Sequence, residues 1–143
     1  MPDGSVFARV HVLVLCDEVE QRPGEEAVFD LRGVRTHVRA RAFPYTHPRL
    51  SIYVQVTGHP GVASGRLVVL TEATEEEIIQ VPIAEFQLLG PLTVYHLQVE
   101  IMDCEFPAPG VYWCQVVLNE KLVAERRFVA SQIPGDTNGQ PLS

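Results

Sequence analysis

The sequence contains no apolar run long enough to cross a membrane as a helix. Such a span needs about 18 consecutive apolar residues, and the longest apolar stretches here have only the length of a strand. The chain begins Met-Pro-Asp-Gly, which is acidic where a secretory leader would be basic. We therefore expect a soluble, cytoplasmic protein with no membrane partner.

Basic residues are scarce. Lys and Arg together number 11 against 18 Asp and Glu, so the formal net charge is −7. Nucleic-acid binding needs a basic surface that displaces counterions from phosphates, and the overall field of this chain repels phosphate. The composition therefore argues against a nucleic-acid partner and is ordinary for a small soluble domain.

Cysteine is present in an odd number and without paired spacing. Cys16, Cys104 and Cys114 form no Cys-x-x-Cys pattern, which excludes a local zinc site and a disulfide framework. We interpret all three as buried, reduced thiols that act as small apolar side chains. A bridge between Cys104 and Cys114 on neighbouring strands is the alternative.

Catalytic motifs are also missing. The sequence has no Gly-x-Ser-x-Gly elbow, no phosphate-binding glycine loop and no His-Glu-x-x-His. We therefore predict a protein that is not an enzyme, with no catalytic residue, no metal ligand and no cofactor. The alternative is a metal-dependent enzyme that uses His47 and His59, which each precede a proline in a predicted loop.

Helical periodicity is absent over any ten residues, whereas short alternating segments bounded by Gly and Pro recur along the chain. This pattern predicts eight or nine strands in a single domain over 1–130, followed by a flexible tail over 131–143. Among them are strands over 8–16, 50–57 and 66–71, with a turn at 58–61 between the last two, and a hairpin that turns at 119–121. Alternation over 50–57 predicts an exposed face with Ser51, Tyr53, Gln55 and Thr57. Pro82 cannot donate to a strand ladder, so we expect 78–83 to lie at a sheet edge.

An immunoglobulin-like antiparallel β-sandwich is the favoured fold. The segment Pro107–Tyr112 leads into a strand and resembles the tyrosine corner of such sandwiches. In that corner a tyrosine hydroxyl bonds to the backbone a few residues upstream. The alternative for Tyr112 is an ordinary core aromatic.

Several motifs occur in a fixed order along the chain. They are Leu-Cys-Asp at 15–17, Phe-Pro at 43–44, Phe-Pro-x-x-Gly-x-Tyr at 106–112 and Asn-Glu-x-Leu-Val at 119–123. Over about residues 8–130 this arrangement resembles a family of uncharacterised bacterial proteins, a domain of unknown function. The resemblance implies a β-sandwich and no known activity.

A basic stripe is the sharpest local feature. Arg35, His37, Arg39 and Arg41 alternate with a second set, so a strand would place all four on one face. The second set is Val34, Thr36, Val38, Ala40 and Ala42. On an acidic molecule they favour an anionic contact, and Tyr53 joins them if strands 34–43 and 50–57 are neighbours. The alternative is pairing within the molecule, with Glu100, Glu125 or the run at 75–77.

We therefore predict a non-enzymatic protein interaction or assembly domain that uses a sheet face or an edge strand. Its partner would be another protein or a second copy. The alternative from another class is a small-ligand or carbohydrate-binding module, which an exposed Trp113 would favour.

Overall fold

A computed structural model of the chain describes residues 7–134. These residues form eight strands and no helix, which confirms the prediction of an all-β fold. The strands are β1 (Ala8–Cys16), β2 (Glu18–Gln21), β3 (Phe29–Arg32), β4 (His37–Ala40), β5 (Tyr45–Thr71), β6 (Glu77–Phe106), β7 (Gly110–Leu118) and β8 (Lys121–Gln132).

Two of these strands are far longer than the sequence predicts. The predicted strands 50–57 and 66–71 are one strand, β5, which passes through the predicted turn at 58–61. In the same way β6 continues through Gly90 and Pro91. The register shifts repeatedly between Val56 and Gly65, so the pair of strands bends without separating.

The sheet curls because β5 changes neighbours at this bend. Its first half pairs with β1 and with the second half of β6, and its second half pairs with β7 and with the first half of β6. The order then continues from β7 to β8 and β4, while β2 and β3 form a separate hairpin. An isolated bridge between Leu15 and Arg35 connects the two ends of this curled half-barrel.

The prediction of a wholly antiparallel fold is wrong at one strand pair. β4 runs parallel to β8, from His37 opposite Val129 to Ala40 opposite Gln132. The cause is the long excursion of the chain through β5, β6 and β7 between these two strands. A parallel pair needs such a crossover, whereas a hairpin would have made it antiparallel.

Aromatic side chains fill the core beside the last hairpin. Phe106, Tyr112 and Phe128 are fully buried and pack with ring centroids 5.1 to 6.0 Å apart. The Tyr112 hydroxyl donates to the carbonyl oxygen of Ala108 at 2.5 Å. Tyr112 is therefore both a tyrosine corner, as predicted, and a core aromatic.

The three thiols are buried and free, as predicted. Burial raises the pKa of Cys104 to about 11 and, together with the charge of Cys104, that of Cys114 to about 12. These two residues lie in β6 and β7, which do not pair in the described sheet. A bridge between neighbouring strands is therefore not formed.

β8 extends to Gln132, into the predicted tail, and residues 135–143 of that tail lie outside the described part of the chain. Within residues 7–134 there is no helix with the length and apolar character of a membrane span.

Candidate interaction surface

Arg35 is paired within the molecule. Its Nη2 donates to Oδ2 of Asp17 at 3.0 Å and its Nε donates to Oδ1, forming a bidentate pair. This hydrogen bond raises the pKa of Arg35. The backbone of Arg35 also donates to the carbonyl oxygen of Leu15 at 2.7 Å. The alternative of pairing within the molecule is thus correct for Arg35, but its partner is Asp17 rather than one of the predicted glutamates.

Gly33 makes room for this pair. A Cβ atom at Gly33 would lie 2.2 Å from Oδ2 of Asp17, and its φ of 66° is one that side-chain-bearing residues rarely adopt. The turn after β3 can therefore pass directly over the Asp17 carboxylate.

His47 lies next to the same carboxylate. Its Nε2 is 3.8 Å from Oδ1 of Asp17, and its Nδ1 is 3.1 Å from the Tyr45 hydroxyl. Burial, followed by the charge of Arg35, lowers the pKa of His47.

The prediction of two loop histidines is wrong, because His47 and His59 lie at the start and at the bend of β5. Among residues 7–134, no group of His, Cys, Asp and Glu side chains is arranged to hold a metal ion.

The lowered pKa of His47 predicts a loss of stability in mild acid. The unfolded chain binds a proton near pH 6.5, the ordinary pKa of histidine, whereas folded His47 binds it only at lower pH. The contribution of His47 to the free energy of unfolding is therefore fully present above about pH 6.5 and is lost as the pH falls towards the lowered pKa. Urea unfolding at several pH values is expected to show a shallower pH dependence for His47→Gln. The exposed His59→Gln is the control, and identical slopes for wild type and His47→Gln would contradict the assignment.

β4 carries the rest of the basic stripe and is shorter than predicted. Val38 and Ala40 are buried while His37 and Arg39 are exposed, so the alternation holds over these four residues. It fails outside them, because Val34 is 59% exposed. Only four residues of β8 pair with β4, which limits the regular strand to 37–40.

Tyr53 does not share this surface. β5 does not pair with β4, so the condition for including Tyr53 is not met. Tyr53 is 4% exposed, and its hydroxyl lies 2.6 Å from Nδ1 of His96 and accepts from Gln55 at 2.9 Å. Phe29 stacks on His96 with ring centroids 4.6 Å apart. The hairpin of β2 and β3 thus covers the sheet face that the sequence predicts to be exposed.

The outer edge of β6 is marked in the sequence only by Pro82. Within the described sheet β6 pairs with β5 alone, so its other edge has no partner, and the edge prediction is confirmed. The first half is interrupted by Pro82, Pro91 and register shifts. From Tyr95 to Met102, opposite 49–56, the register has no shift.

Trp113 is half-buried on the outer face of β7. Its Nε1 donates to Oε1 of Glu72 at 3.0 Å, and Nε of Arg127 donates to the same oxygen at 3.2 Å. The surrounding depression of about 450 Å³ is lined by four glutamates, at positions 72, 75, 77 and 125. The neighbourhood of Trp113 is therefore strongly acidic.

The model of a family of unknown function, DUF6941, matches residues 11–131. The chain belongs to this family. The match covers the whole strand region except the start of β1 and the last residue of β8, and it confirms the resemblance to an uncharacterised family. Membership in DUF6941 carries no activity, so the residues above are the basis for any functional proposal. None of the curated proteins compared with the chain matches it.

Among solved structures, this member of DUF6941 is similar to Pseudomonas fluorescens alkylpurine DNA glycosylase AlkC bound to DNA containing an abasic site analog. The TM-score is 0.58 at 11% sequence identity, and the similarity covers 90% of this chain but 31% of the glycosylase chain. The chain thus spans about a third of that structure, and at this identity the likeness concerns the fold alone.

Proposed function

We propose that this protein is a non-enzymatic interaction domain that binds another protein, or a second copy of itself, through a sheet edge. The observation that carries the proposal is the regular, unpaired edge of β6 from Tyr95 to Met102. Such an edge presents free backbone donors and acceptors to any extended segment that approaches it.

Light scattering on the full chain at low and at high salt tests this function. Assembly through strand pairing persists at high salt, whereas assembly through surface charges weakens as the salt screens them. A monomeric mass at both salt concentrations, together with no binding to an acidic peptide, would contradict the proposal.

The exposed part of the basic stripe is a second proposed contact surface, directed at an acidic partner. His37 and Arg39 point outward from β4, the last strand of the sheet order, and Arg41 follows directly. Arg35 contributes less because its guanidinium is held by Asp17. Charged residues also protect an edge strand from unwanted pairing, and that is the competing explanation.

A charge reversal at β4 tests the acidic partner. Arg39→Glu is expected to weaken binding of a fluorescent poly-glutamate peptide about fivefold at low salt, because rim charges add modest, salt-dependent attraction. Fluorescence anisotropy measures the binding. Arg22→Glu changes the net charge equally on the β2–β3 turn, where Arg22 pairs with Asp30, and serves as the control. Equal losses in both variants would mean that overall charge, not β4, determines binding.

The two alternative functions stay predictions. A small-ligand or carbohydrate module would use the surface at Trp113, and a metal-dependent enzyme would use His47 and His59. That the protein has no cofactor and that it has no nucleic-acid partner also stay predictions. The net charge of −7 supports the second of them.

We also infer that the curled sheet is an elaborated immunoglobulin-like sandwich. Its support is the tyrosine corner, with Tyr112 two residues before Cys114 as in antibody domains, and the β7–β8 hairpin that follows. One layer would comprise β1 and the first half of β5, and the other β7, β8 and β4. A cytoplasmic location in a bacterial cell is part of this proposal, supported by three free thiols.

A further inference from the structure

Protection along the sheet edges is uneven. β4 carries His37 and Arg39 on its exposed face, and the first half of β6 contains Pro82 and Pro91. Both are ways in which proteins prevent an edge from pairing with another chain. The second half of β6, from Tyr95 to Met102, contains no proline, glycine, lysine or arginine and has no register shift. Its one charged side chain, Glu100, is bound to Arg49, so this segment is the least protected edge of the described sheet.

We propose that two copies of this chain pair antiparallel along the second half of β6, about a two-fold axis at Gln98. This inference rests on the proposed interaction function and names the partner as a second copy. It would join the sheets of both copies through one continuous set of backbone hydrogen bonds, as in other isologous contacts.

The register follows from the side chains on the outward face. Residues directly opposite each other in an antiparallel pair share a face, so a two-fold axis must place one residue opposite itself. With Gln98 at that position, the Nε2 side of His96, whose Nδ1 bonds to Tyr53, faces Glu100 of the other copy, which also accepts from Arg49 of its own chain.

Neighbouring registers are less favourable. An axis at Glu100 would place two carboxylates directly opposite each other, which is destabilising. An axis at Val99 would place Glu100 opposite Gln98 and His96 opposite Met102, so the hydrogen bond between His96 and Glu100 would not form. The register at Gln98 therefore pairs the exposed side chains best.

Local structure sets the length of the contact. Residues 91–94 of β6 lie between the pairs Val56–Tyr95 and Gly58–Gly90, so the chain bulges there. At the other end Asp103 has a φ of 52°, which distorts the backbone there, although the pairing with β5 continues unshifted to Phe106. Between these limits Gln98 is central. Ile83, Leu97 and Val99 line a depression of about 370 Å³ along this edge, so pairing also covers apolar surface.

Cross-linking tests the axis directly. Directly opposite residues have Cα atoms about 4.5 to 5.5 Å apart, which is compatible with a disulfide. Gln98→Cys is therefore expected to form a covalent dimer under mild oxidation, whereas Gln80→Cys in the first half of β6 is not. The native thiols do not compete, because all three are buried. No covalent dimer from Gln98→Cys, or equal yields from both variants, would overturn the axis.

A mixing experiment tests the register. His96→Cys and Glu100→Cys, which both lie inside the regular segment, are expected to cross-link poorly alone and efficiently when the two variants are mixed, because each faces the other position. Efficient cross-linking of either variant alone would place the axis elsewhere.

The solution mass separates this inference from the general function. Wild type is expected at twice 15.9 kDa by light scattering, and Gln98→Lys is expected to weaken the dimer about tenfold by opposing two like charges. Gln80→Lys is the control with the same substitution on the same strand. If Gln98→Lys left the dimer intact, the chain would still self-associate, but the second half of β6 would be rejected as the contact. A wild-type monomer that still binds the acidic peptide would reject the second copy as partner while the interaction function stands.

Discussion

Replacing Gly65 by alanine is expected to lower the free energy of unfolding by about 3 kcal/mol. A Cβ atom at this position would lie 1.8 Å from the carbonyl oxygen of Val117 and 2.8 Å from its carbon. The backbone has little freedom to move away, because Gly65 is paired with Leu118 on one side and Ile83 on the other. Relieving the clash therefore means separating strands at the point where β5 leaves one half of the sheet for the other.

Urea unfolding of the full chain measures this effect, with Ser64→Ala as the control. Ser64 is adjacent, and its backbone nitrogen and oxygen keep their bonds to Asn119 when the side chain is shortened. We expect the control to remain within about 0.5 kcal/mol of wild type. If Gly65→Ala were as stable as the control, the close approach of β5 and β7 at the bend would be wrong.

Strands with local signals were predictable from the sequence. β1 spans the predicted 8–16, and the hairpin of β7 and β8 turns at the predicted Asn119 and Glu120. In each case alternation and turn residues lie within a few positions of each other, so neighbouring residues alone carry the information.

The long strands were not predictable in the same way. Gly58, Pro60 and Gly61 are turn signals in sequence, but in the structure they lie inside β5, where Gly58 and Gly61 pair irregularly with β6. Whether such residues end a strand or only bend it depends on the partner strand. Here β6 carries its own Gly90 and Pro91 beside them, and both strands bend together.

The surface was the least predictable part. The face with Tyr53 and Ser51 alternates like a solvated strand, yet both are buried under the hairpin of β2 and β3. The signal that could have shown this is the apolar content of the hairpin, namely Val19, Val28 and Phe29. The pairing of Arg35 with Asp17 joins residues 18 positions apart, a separation at which charge patterns do not identify partners.

An unpaired edge is similarly a property of strand order. Pro82 marked one short segment of β6, but the regular segment from Tyr95 to Met102 resembles any interior strand in sequence. It became a candidate site only when the sheet order left its outer side without a partner. The same regularity that made it look internal makes it suited to pairing with another chain.

Tyr112 is expected to show the largest effect of any single core truncation in the last hairpin. Tyr112→Ala removes a fully buried ring that contacts Phe106 and Phe128, and we expect a loss of about 3 to 5 kcal/mol in the free energy of unfolding. Because the ring lies between β6 and β8, its removal loosens both the hairpin and the end of β6.

Tyr112→Phe separates the hydroxyl from the ring. This variant keeps the aromatic packing and loses only the hydrogen bond to Ala108, so a loss of about 1 kcal/mol is expected. Trp113→Phe is the matched control on the outward face of the same strand, where the indole nitrogen bonds to Glu72 in an exposed setting. Thermal and urea unfolding of the three variants are expected to order them as Tyr112→Ala, Tyr112→Phe and Trp113→Phe, from least to most stable. If Tyr112→Phe equalled wild type while Tyr112→Ala remained strongly destabilised, Tyr112 would act as a core aromatic alone, and the tyrosine-corner argument for an immunoglobulin-like fold would fail.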